Sequence, residues 1–155
     1  MACWVRADMI PTVARQMIRE YIYAYSAISP QTGDCYSMIS PHCNTEAMNE
    51  FLGELSSYYS QYRIIIILDK AGWHISRSLK LASNIQLMHL APYSPELKPV
   101  ELLWREVRRK YFHNNIFNTL DDVETVLKTA FLEYHKNKIV IKQLANGSIL
   151  VLYYR

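Results

Sequence analysis

The sequence has little glycine, few cysteines and no long aliphatic run, and each shortage excludes a class of protein. Four glycines among 155 residues are too few for a collagen-like or glycine-rich low-complexity chain. The longest aliphatic run, Ile64–Leu68, has five residues, whereas a membrane-spanning helix needs about 20. The three cysteines form neither an even disulfide framework nor a CxxC pair. His42 adjoins Cys43, but a zinc site would need two further ligands at regular spacing.

Composition and charge describe an ordinary globular domain that is mildly basic. Half of the residues are hydrophobic and 20% are charged, which is a typical soluble profile for one domain. The opening MACWVRADMIP lacks the basic and long apolar regions of a secretory signal, so we expect a cytoplasmic protein without membrane attachment. Residues 1–60 carry three Lys/Arg against six Asp/Glu, and residues 61–155 carry fourteen against eight. A basic second half suits contact with phosphates, and a solvated basic surface explains it equally well.

The first half of the chain predicts a hairpin, a helix and a strand. REYIYAYSAIS and CYSMIS flank the turn sequence PQTGD, a pattern typical of an antiparallel hairpin. Asn44 or Thr45 is placed to cap a helix over about residues 44–59. The apolar stripe of that helix comprises Met48, Phe51, Leu52 and Leu55. The following run IIIIL predicts a central strand that is covered on both faces.

The second half predicts two longer helices between less regular segments. ISRSLKLA is a candidate short helix, IQLMHL a strand, and a loop with three prolines follows. Pro99 begins a helix over about residues 99–111, and Thr119 begins another over 119–135 with acidic residues in its first turn. Their predicted buried stripes are Val100, Leu103, Trp104, Val107 and Tyr111, and Leu120, Val123, Val126, Leu127, Ala130 and Tyr134. The tail IVIKQLANGSILVLYYR has Asn-Gly between apolar runs, which indicates a second hairpin.

Two carboxylates lie where a catalytic site would need them. Asp69 follows the most apolar predicted strand, and ligand sites in open α/β sheets lie beyond the carboxyl ends of strands. Glu101 lies in the first turn of a helix, on the same face as Arg105 and Arg108. From position alone, Asp69 could equally be a turn residue and Glu101 a favourable partner of the helix dipole.

The motifs around these two carboxylates resemble one family. ILDKAGWH, which contains Asp69, and LAPYSPELKPVELLWREVRRKY, which contains Glu101, are similar to the signature of DDE-type transposases, in the bacterial insertion-sequence branch of the mariner-like superfamily. The hairpin segment and NTEAMNEFLGEL resemble the same family. The likeness extends from about Cys3 to about Tyr134. We therefore assign residues 1–137 to a partial catalytic domain and leave residues 138–155 as an unassigned tail.

The resemblance implies an α/β, ribonuclease-H-like mixed sheet flanked by helices, and metal-dependent DNA cleavage and strand transfer. It makes Asp69 and Glu101, with 31 residues between them, the second and third of three metal-binding carboxylates. Divalent cations relieve the repulsion among three crowded carboxylates. Oxygen ligands and a phosphate substrate favour Mg²⁺ or Mn²⁺ in a two-metal site. The expected partner is DNA, as transposon ends and as target.

Further DNA contacts are predicted beside the two motifs. His74 lies five residues after Asp69, where the family tends to have histidine and where it could contact the scissile phosphate. A basic group continues the Glu101 helix and could line a DNA path, namely Arg105, Arg108, Arg109 and Lys110. The alternatives are a locally satisfied histidine and solvated basic residues on a helix surface.

One part of the family pattern is expected to be missing. The family's first catalytic Asp lies on a strand ahead of the position of Cys3, so we expect this chain to lack that strand and the helix-turn-helix region before it. Because that strand is central in the family's sheet, its loss leaves neighbouring backbone groups unpaired. We therefore expect no catalysis by the chain alone, and completion by an upstream transposase polypeptide or by oligomerisation. The alternative is a non-catalytic remnant that binds DNA or pairs with full-length transposase.

Overall fold

The computed structural model describes residues 20–68, 78–89 and 99–145 and the backbone of residues 153–154, and there it shows a mixed α/β chain with small sheets and four helices. In chain order the elements are β1 (Tyr23–Ile28), β2 (Cys35–Ser40), α1 (Thr45–Tyr58), β3 (Arg63–Leu68), β4 (Ile85–His89), α2 (Pro99–Val107), α3 (Leu120–Lys136), α4 (Lys138–Ala145) and β5 (Tyr153–Tyr154). The first predicted hairpin, the two predicted strands after it and the three predicted helices are confirmed. The end of the second predicted helix is a π-helical turn over Arg108–Phe112.

The hairpin divides its side chains between two apolar clusters. β1 and β2 are antiparallel along their whole length, and neighbouring strand residues point to opposite faces. Ile28 and its partner Cys35 therefore pack on one side, with α2, α3 and α4. Ala27 and its partner Tyr36 pack on the other side, with α1, β3 and β4. The hairpin is the wall that the two clusters share.

The first cluster, here called the α1 cluster, is formed where α1 covers β3 and β4. Its buried members are Met48, Phe51, Leu52, Leu55, Tyr59, Ile64, Leu68 and Ile85. The predicted stripe of α1 is thus buried as a whole, and the helix is capped by the Asn44 side chain, which accepts from the Ala47 N–H at 2.9 Å. β3 and β4 run parallel beneath it.

Only one face of β3 is covered in the part of the chain that the structure describes. Ile64, Ile66 and Leu68 pack in or against the α1 cluster. Ile65 and Ile67 point to the other face, are half-buried, and belong to neither cluster. The prediction of a strand covered on both faces is therefore confirmed for the α1 side alone.

The second cluster, here called the α3 cluster, joins three helices to the other face of the hairpin. Its buried members are Ile28, Cys35, Leu103, Val107, Leu127, Ala130, Phe131, Tyr134 and Ile141. Trp104 packs edge-on against Phe131, with ring centroids 5.9 Å apart, which agrees with its predicted place in the core. α3 begins with a reciprocal cap in which Asp122 N donates to Thr119 Oγ1 at 3.1 Å and Thr119 N donates to Asp122 Oδ2 at 3.0 Å.

The turn of the hairpin lies against the start of α4. Gly33 has φ +76°, which favours glycine. A Cβ at this position would lie 2.2 Å from the carbonyl oxygen of Lys138. The next residue, Asp34, forms an ion pair with Lys138 at 2.6 Å and accepts from Thr32 Oγ1 at 2.5 Å. Backbone conformation and close approach therefore both require glycine at position 33.

His135 connects three elements across the two clusters. Its Nδ1 lies 2.8 Å from the carbonyl oxygen of Cys35, which can only accept, so Nδ1 carries the proton. Its Nε2, 3.1 Å from Tyr58 Oη, then accepts from that hydroxyl when the ring is neutral. α3 is thereby linked to β2 and to α1.

The prediction of a hairpin in the tail is wrong, because the first of its two apolar runs is the helix α4. Ile141 and Ala145, one helical turn apart, are both buried, and Ile141 packs in the α3 cluster. The Asn137 side chain accepts from Val140 N at 3.3 Å at the start of the helix. The Asn-Gly pair lies outside the described residues.

The predicted short helix ISRSLKLA is also wrong where the structure describes it, at residues 78–82, which form a turn and irregular chain. Asn49 of α1 holds this segment with both ends of its amide. Its Nδ2 donates to the Ser78 carbonyl at 3.1 Å, and its Oδ1 accepts from Lys80 N at 2.7 Å. Backbone groups that a helix would pair internally are used in this tertiary contact instead.

The described strands form two small sheets and not one. β1 and β2 make the first, and the second has the order β4-β3-β5, with β5 antiparallel to β3. The single mixed sheet that the sequence resemblance implies is not seen among the described strands. No helix in the described part of the chain has the length and apolar composition needed to cross a membrane.

Candidate active site

Glu101 is presented to solvent by the first turn of α2. Pro99 begins the helix and is buried, and Leu103 and Val107 bury the inner face in the α3 cluster. Glu101 is exposed. A carboxylate in the first turn lies near the positive end of the helix dipole. The fold therefore offers this carboxylate at the surface, where an external cation can reach it.

Arg105 and Arg108 are exposed like Glu101. They follow Glu101 by four and seven residues, spacings that place side chains on one face of a helix. Neither forms an ion pair with another described residue. Their positive charge is therefore available to an anionic ligand beside Glu101.

Arg109 and Lys110 are engaged differently, because both are held by glutamates. Arg109 forms two hydrogen bonds with Glu106, Nε to Oε2 at 2.9 Å and a terminal nitrogen to Oε1 at 2.6 Å. Lys110 forms an ion pair with Glu133 of α3, and the Tyr111 hydroxyl donates to the same carboxylate. These four charges are satisfied within the protein surface.

The pKa values along this surface follow from those contacts. The hydrogen bonds from Arg109 lower the pKa of Glu106, and those from Lys110 and then Tyr111 lower the pKa of Glu133. Burial, and then the hydrogen bond to Glu133, raises the pKa of Tyr111 to about 12. Both glutamates are therefore charged, and Tyr111 is neutral, across the physiological pH range.

The π-helical turn ends α2 with two consecutive aromatic residues on the core side. Tyr111 and Phe112 both pack against the α3 cluster. One extra residue in a turn rotates the chain that follows it, and such turns recur at functional sites. Here the rotation also brings Lys110 and Tyr111 to the same carboxylate of α3.

Asp69 and His74 lie outside the described residues, so their predicted places in the site stay predictions. The last described residue before Asp69 is Leu68, which ends β3. In the parallel pair, Leu68 lies opposite His89, the last residue of β4. The two strands thus end side by side. Asp69 is the residue that follows this edge in the sequence, at the end of the sheet where ligands of parallel sheets bind.

Within the described residues, no three His, Cys, Asp or Glu side chains form a metal-ion cluster. Glu101 supplies a carboxylate, the kind of oxygen ligand that Mg²⁺ and Mn²⁺ prefer. The other proposed ligand, Asp69, has the same chemistry. The donor types fit a hard divalent cation, and the distance between the two carboxylates stays a prediction.

Sequence reasoning missed the glutamates that form ion pairs with Arg109 and Lys110. The Glu106–Arg109 pair has the i, i+3 spacing that stabilises helices and could have been found from it. The Lys110–Glu133 pair joins positions that are 23 residues apart, and only the packing of α2 against α3 brings them together.

Comparison with known proteins places the chain in a family. Residues 2–124 match the family described as DDE superfamily endonuclease. Over 106 residues, the chain is 42% identical to the uncharacterized protein y4pE/y4sA of Sinorhizobium fredii, which covers 68% of this chain and 78% of that protein. No solved structure matches. The family implies a ribonuclease-H-like fold, and its members typically use divalent metals on a DNA substrate. On the match over most of its length, the chain belongs to the DDE superfamily endonucleases.

Proposed function

We propose that the chain is part of an insertion-sequence transposase catalytic domain, which cleaves DNA strands and transfers them with Mg²⁺ or Mn²⁺. The observation that carries the proposal is the outer face of α2. There the family's glutamate, Glu101, is solvent-exposed beside Arg105 and Arg108, while the other two basic residues of the helix are neutralised by glutamates. A metal-binding carboxylate beside guanidinium groups that no described carboxylate pairs suits a phosphodiester held by metal and protein together.

In this proposal Asp69 and Glu101 are the metal ligands that the chain contributes. Divalent cations held by these two residues would supply activation of the attacking hydroxyl and stabilisation of the leaving oxygen. The helix α2 fixes where the Glu101 oxygens can lie. Asp69 is tied to the end of a strand that is buried at Ile64 and Leu68, so the backbone before it is held by the α1 cluster.

The family pattern needs three carboxylates, and its motifs assign two of them to this sequence. We propose that Asp69 and Glu101 alone do not suffice to cleave transposon ends, and that a segment carrying the family's first Asp completes the site. Two carboxylates would leave the cations poorly placed against the phosphate. A misplacement of about 1 Å can cost on the order of a hundredfold in rate.

For DNA contact the proposal favours the two arginines that form no ion pair with another described residue. Arg105 and Arg108 are proposed to bind backbone phosphates, each replacing a condensed counterion. Arg109 and Lys110 would have to break an ion pair first, so their part in binding is proposed to be small. His74 remains a proposed contact with the scissile phosphate.

A cleavage assay tests the metal site. The chain, supplied with a segment that carries the family's first Asp strand, is expected to nick DNA carrying the transposon ends when Mg²⁺ or Mn²⁺ is added. Glu101→Gln should lower the rate by about a hundredfold or more, since removal of one ligand misplaces the cations. Glu106→Gln, on the same helix and in an ion pair with Arg109, is the matched control and should keep the rate.

Two results would contradict the proposal. Metal-dependent cleavage by the full chain alone would show that no third carboxylate from elsewhere is needed. An unchanged rate in Glu101→Gln would remove Glu101 from the site. DNA binding without cleavage, even with the segment that carries the first Asp present, would instead support a non-catalytic remnant.

A binding assay tests the assignment of the basic residues. The Arg105→Ala/Arg108→Ala double variant should reduce the slope of log Kd against log salt by about 2, because about 0.9 counterions are released per phosphate contact. Arg109→Ala/Lys110→Ala is the control with the same change in charge and should keep most of the slope. Equal losses in the two double variants would show that the ion pairs do not decide which residues bind DNA.

A further inference from the structure

Tyr58, the last residue of α1, is exposed and yet held on several sides. Its hydroxyl forms a hydrogen bond with His135 Nε2 at 3.1 Å. Its ring packs edge-on against Tyr59, with centroids 4.8 Å apart, and against Tyr36 at 5.6 Å. Even so, 53% of Tyr58 is exposed. Because a tyrosine has few torsion angles to fix, these contacts set the orientation of the ring before anything binds to it.

The surface around this ring is aromatic. His135 lies edge-on to Tyr58, with centroids 5.7 Å apart, and its own position is set by the bond from Nδ1 to the Cys35 carbonyl oxygen. Half-buried Tyr62 lies beyond Tyr59, with centroids 6.4 Å apart. Four side chains together are here called the Tyr58 surface: Tyr36, Tyr58, Tyr62 and His135. Unpaired nucleobases stack on exposed aromatic rings of this kind.

Two unpaired basic residues border the Tyr58 surface. Arg63 follows Tyr62 in the chain, and Lys136 follows His135; both are exposed. Neither forms an ion pair with a carboxylate in the described part of the chain. Each can therefore offer its positive charge to a phosphate beside the rings.

A third cation and two carboxylates complete the charges at this border. Lys138 is paired with Asp34 at 2.6 Å. The pKa of Lys138 is raised, first by its hydrogen bond to Asp34 and further by neighbouring hydroxyls that include that of Tyr58, so the lysine lies beside the rings. Glu54, one helical turn before Tyr58, is exposed. Three cations against two carboxylates make the border only weakly positive, so a bound anion also needs contacts with the rings.

The Tyr58 surface lies at the other end of β3 from Asp69. α1 ends at Tyr58, and β3 begins at Arg63 after a short turn. β3 then runs to Leu68, and Asp69 follows it in the sequence. Five residue steps of about 3.3 Å separate the ends of the strand by roughly 16 Å. A ligand on the Tyr58 surface therefore does not compete with one bound beyond Leu68.

We propose that the Tyr58 surface is a second nucleic-acid site, which binds single-stranded DNA by stacking an unpaired base on the exposed Tyr58 ring. Arg63 and Lys136 contact neighbouring phosphates of that strand. The site accepts any sequence, because every base has a π face. Only the choice of DNA over RNA rests on the proposed function.

A binding experiment with the full chain, without metal, tests this site. The probe is a fluorescent oligothymidylate of about ten nucleotides, a length typical of single-strand sites. Tyr58→Leu removes the ring, and Tyr58→Phe keeps the ring but loses the hydroxyl that bonds to His135. Tyr21→Leu is the matched control, since Tyr21 is 72% exposed and lies before β1, at the end of the hairpin away from Cys35.

Tyr58→Leu is expected to bind the oligothymidylate about tenfold more weakly than the unchanged chain, as for the loss of one stacked base. Tyr58→Phe and Tyr21→Leu should keep the affinity of the unchanged chain. An abasic oligonucleotide of the same length and charge should bind the unchanged chain about tenfold more weakly than the oligothymidylate. Equal affinity for the two oligonucleotides would overturn stacking, and this comparison decides even where Tyr58→Leu is unstable. Equal affinity of Tyr58→Leu and the unchanged chain would overturn the role of Tyr58.

The salt dependence tests the two basic residues. Arg63→Ala/Lys136→Ala should reduce the slope of log Kd against log salt by about 1.4, because about 0.7 counterions are released per phosphate contact of a single strand. Arg109→Ala/Lys128→Ala is the control with the same change in charge and should keep the slope, since both residues are in ion pairs with neighbouring glutamates. Equal slopes in the two double variants would overturn the phosphate contacts.

Three further outcomes would assign the binding elsewhere and overturn the proposal. Binding lost in Arg105→Ala/Arg108→Ala and kept in Tyr58→Leu would place the oligonucleotide on α2. A dimer without DNA that dissociates in Tyr58→Leu would assign the Tyr58 surface to a second copy of the chain. Tighter binding of oligouridylate than of oligothymidylate would assign it to RNA. Because no cleavage is measured and Glu101 is unchanged throughout, failure here is distinguishable from failure of the proposed function.

Discussion

Substitution of Gly33 by alanine isolates the contact between the hairpin turn and α4. An alanine at φ +76° is strained by about 1–2 kcal/mol. Its Cβ would also lie 2.2 Å from the Lys138 carbonyl oxygen and 2.9 Å from the Lys138 carbonyl carbon, distances that the backbone of α4 can relieve only by moving. Overpacking of this kind typically costs about 1–3 kcal/mol. We expect a loss of about 2–5 kcal/mol in the free energy of unfolding.

Urea unfolding followed by circular dichroism measures this loss. With a slope of about 2 kcal/mol per molar urea, the unfolding midpoint of Gly33→Ala should fall by about 1–2.5 M. Gly53→Ala is the matched control, since Gly53 is an exposed residue inside α1 with no atom within 4 Å of an added Cβ. It should gain about 0.5–1 kcal/mol from helix propensity. A loss below about 0.5 kcal/mol in Gly33→Ala would refute the close approach of turn and helix.

Three further predictions concern the same core. Burial raises the pKa of the Asp34 carboxyl, but hydrogen bonds from Lys138 and Thr32 outweigh this effect, so the pKa is lowered. The stabilisation of the fold by the charged Asp34 is therefore present above the ordinary carboxyl pKa and is lost as the pH falls through the lowered value. Between pH 5 and pH 2, the unfolding midpoint should fall less in Lys138→Met than in the unchanged chain. Identical dependence of the midpoint on pH in the two proteins would contradict this. Burial raises the pKa of the Cys35 thiol to about 11, so iodoacetamide at pH 8 should label half-exposed Cys43 well before Cys35, as read by peptide mass spectrometry; equal labelling rates would contradict the buried position. Leu103→Ala, at a fully buried position, should cost about 2–5 kcal/mol in urea unfolding, and a cost below about 1 kcal/mol would show that α2 does not pack as described.

Local patterns were sufficient to predict most of the fold. The α1 stripe and its cap at Asn44 are both visible within one segment, and the hairpin needs only two apolar runs around a turn. The tail could not be predicted in this way, because the β-branched residues of IVIKQLA favour a strand by intrinsic preference. Burial of Ile141 against α2 and α3 stabilises this segment as a helix, and the contact joins residues that are far apart in the sequence.

The candidate site was predicted from motifs and only partly from physics. Glu101 was predicted to share a helix face with Arg105 and Arg108 and to point neither fully inward nor fully outward, and the structure shows all three residues exposed. Which basic residues are free could not be predicted, because Lys110 is neutralised by a residue of another helix. The joint placement of Asp69 and Glu101 depends on tertiary geometry beyond the described residues, so it stays a prediction.

Because the hairpin packs against both apolar clusters, the two clusters form one cooperative unit. Ala27 and Ile28 are neighbours in the chain, yet the first contributes to the α1 cluster and the second to the α3 cluster. Neither cluster can lose the hairpin without exposing the other, so sub-global opening of one should open both. Slowly exchanging amides of α1 and of α3 should then share one opening free energy in native-state hydrogen exchange, the behaviour of a single foldon.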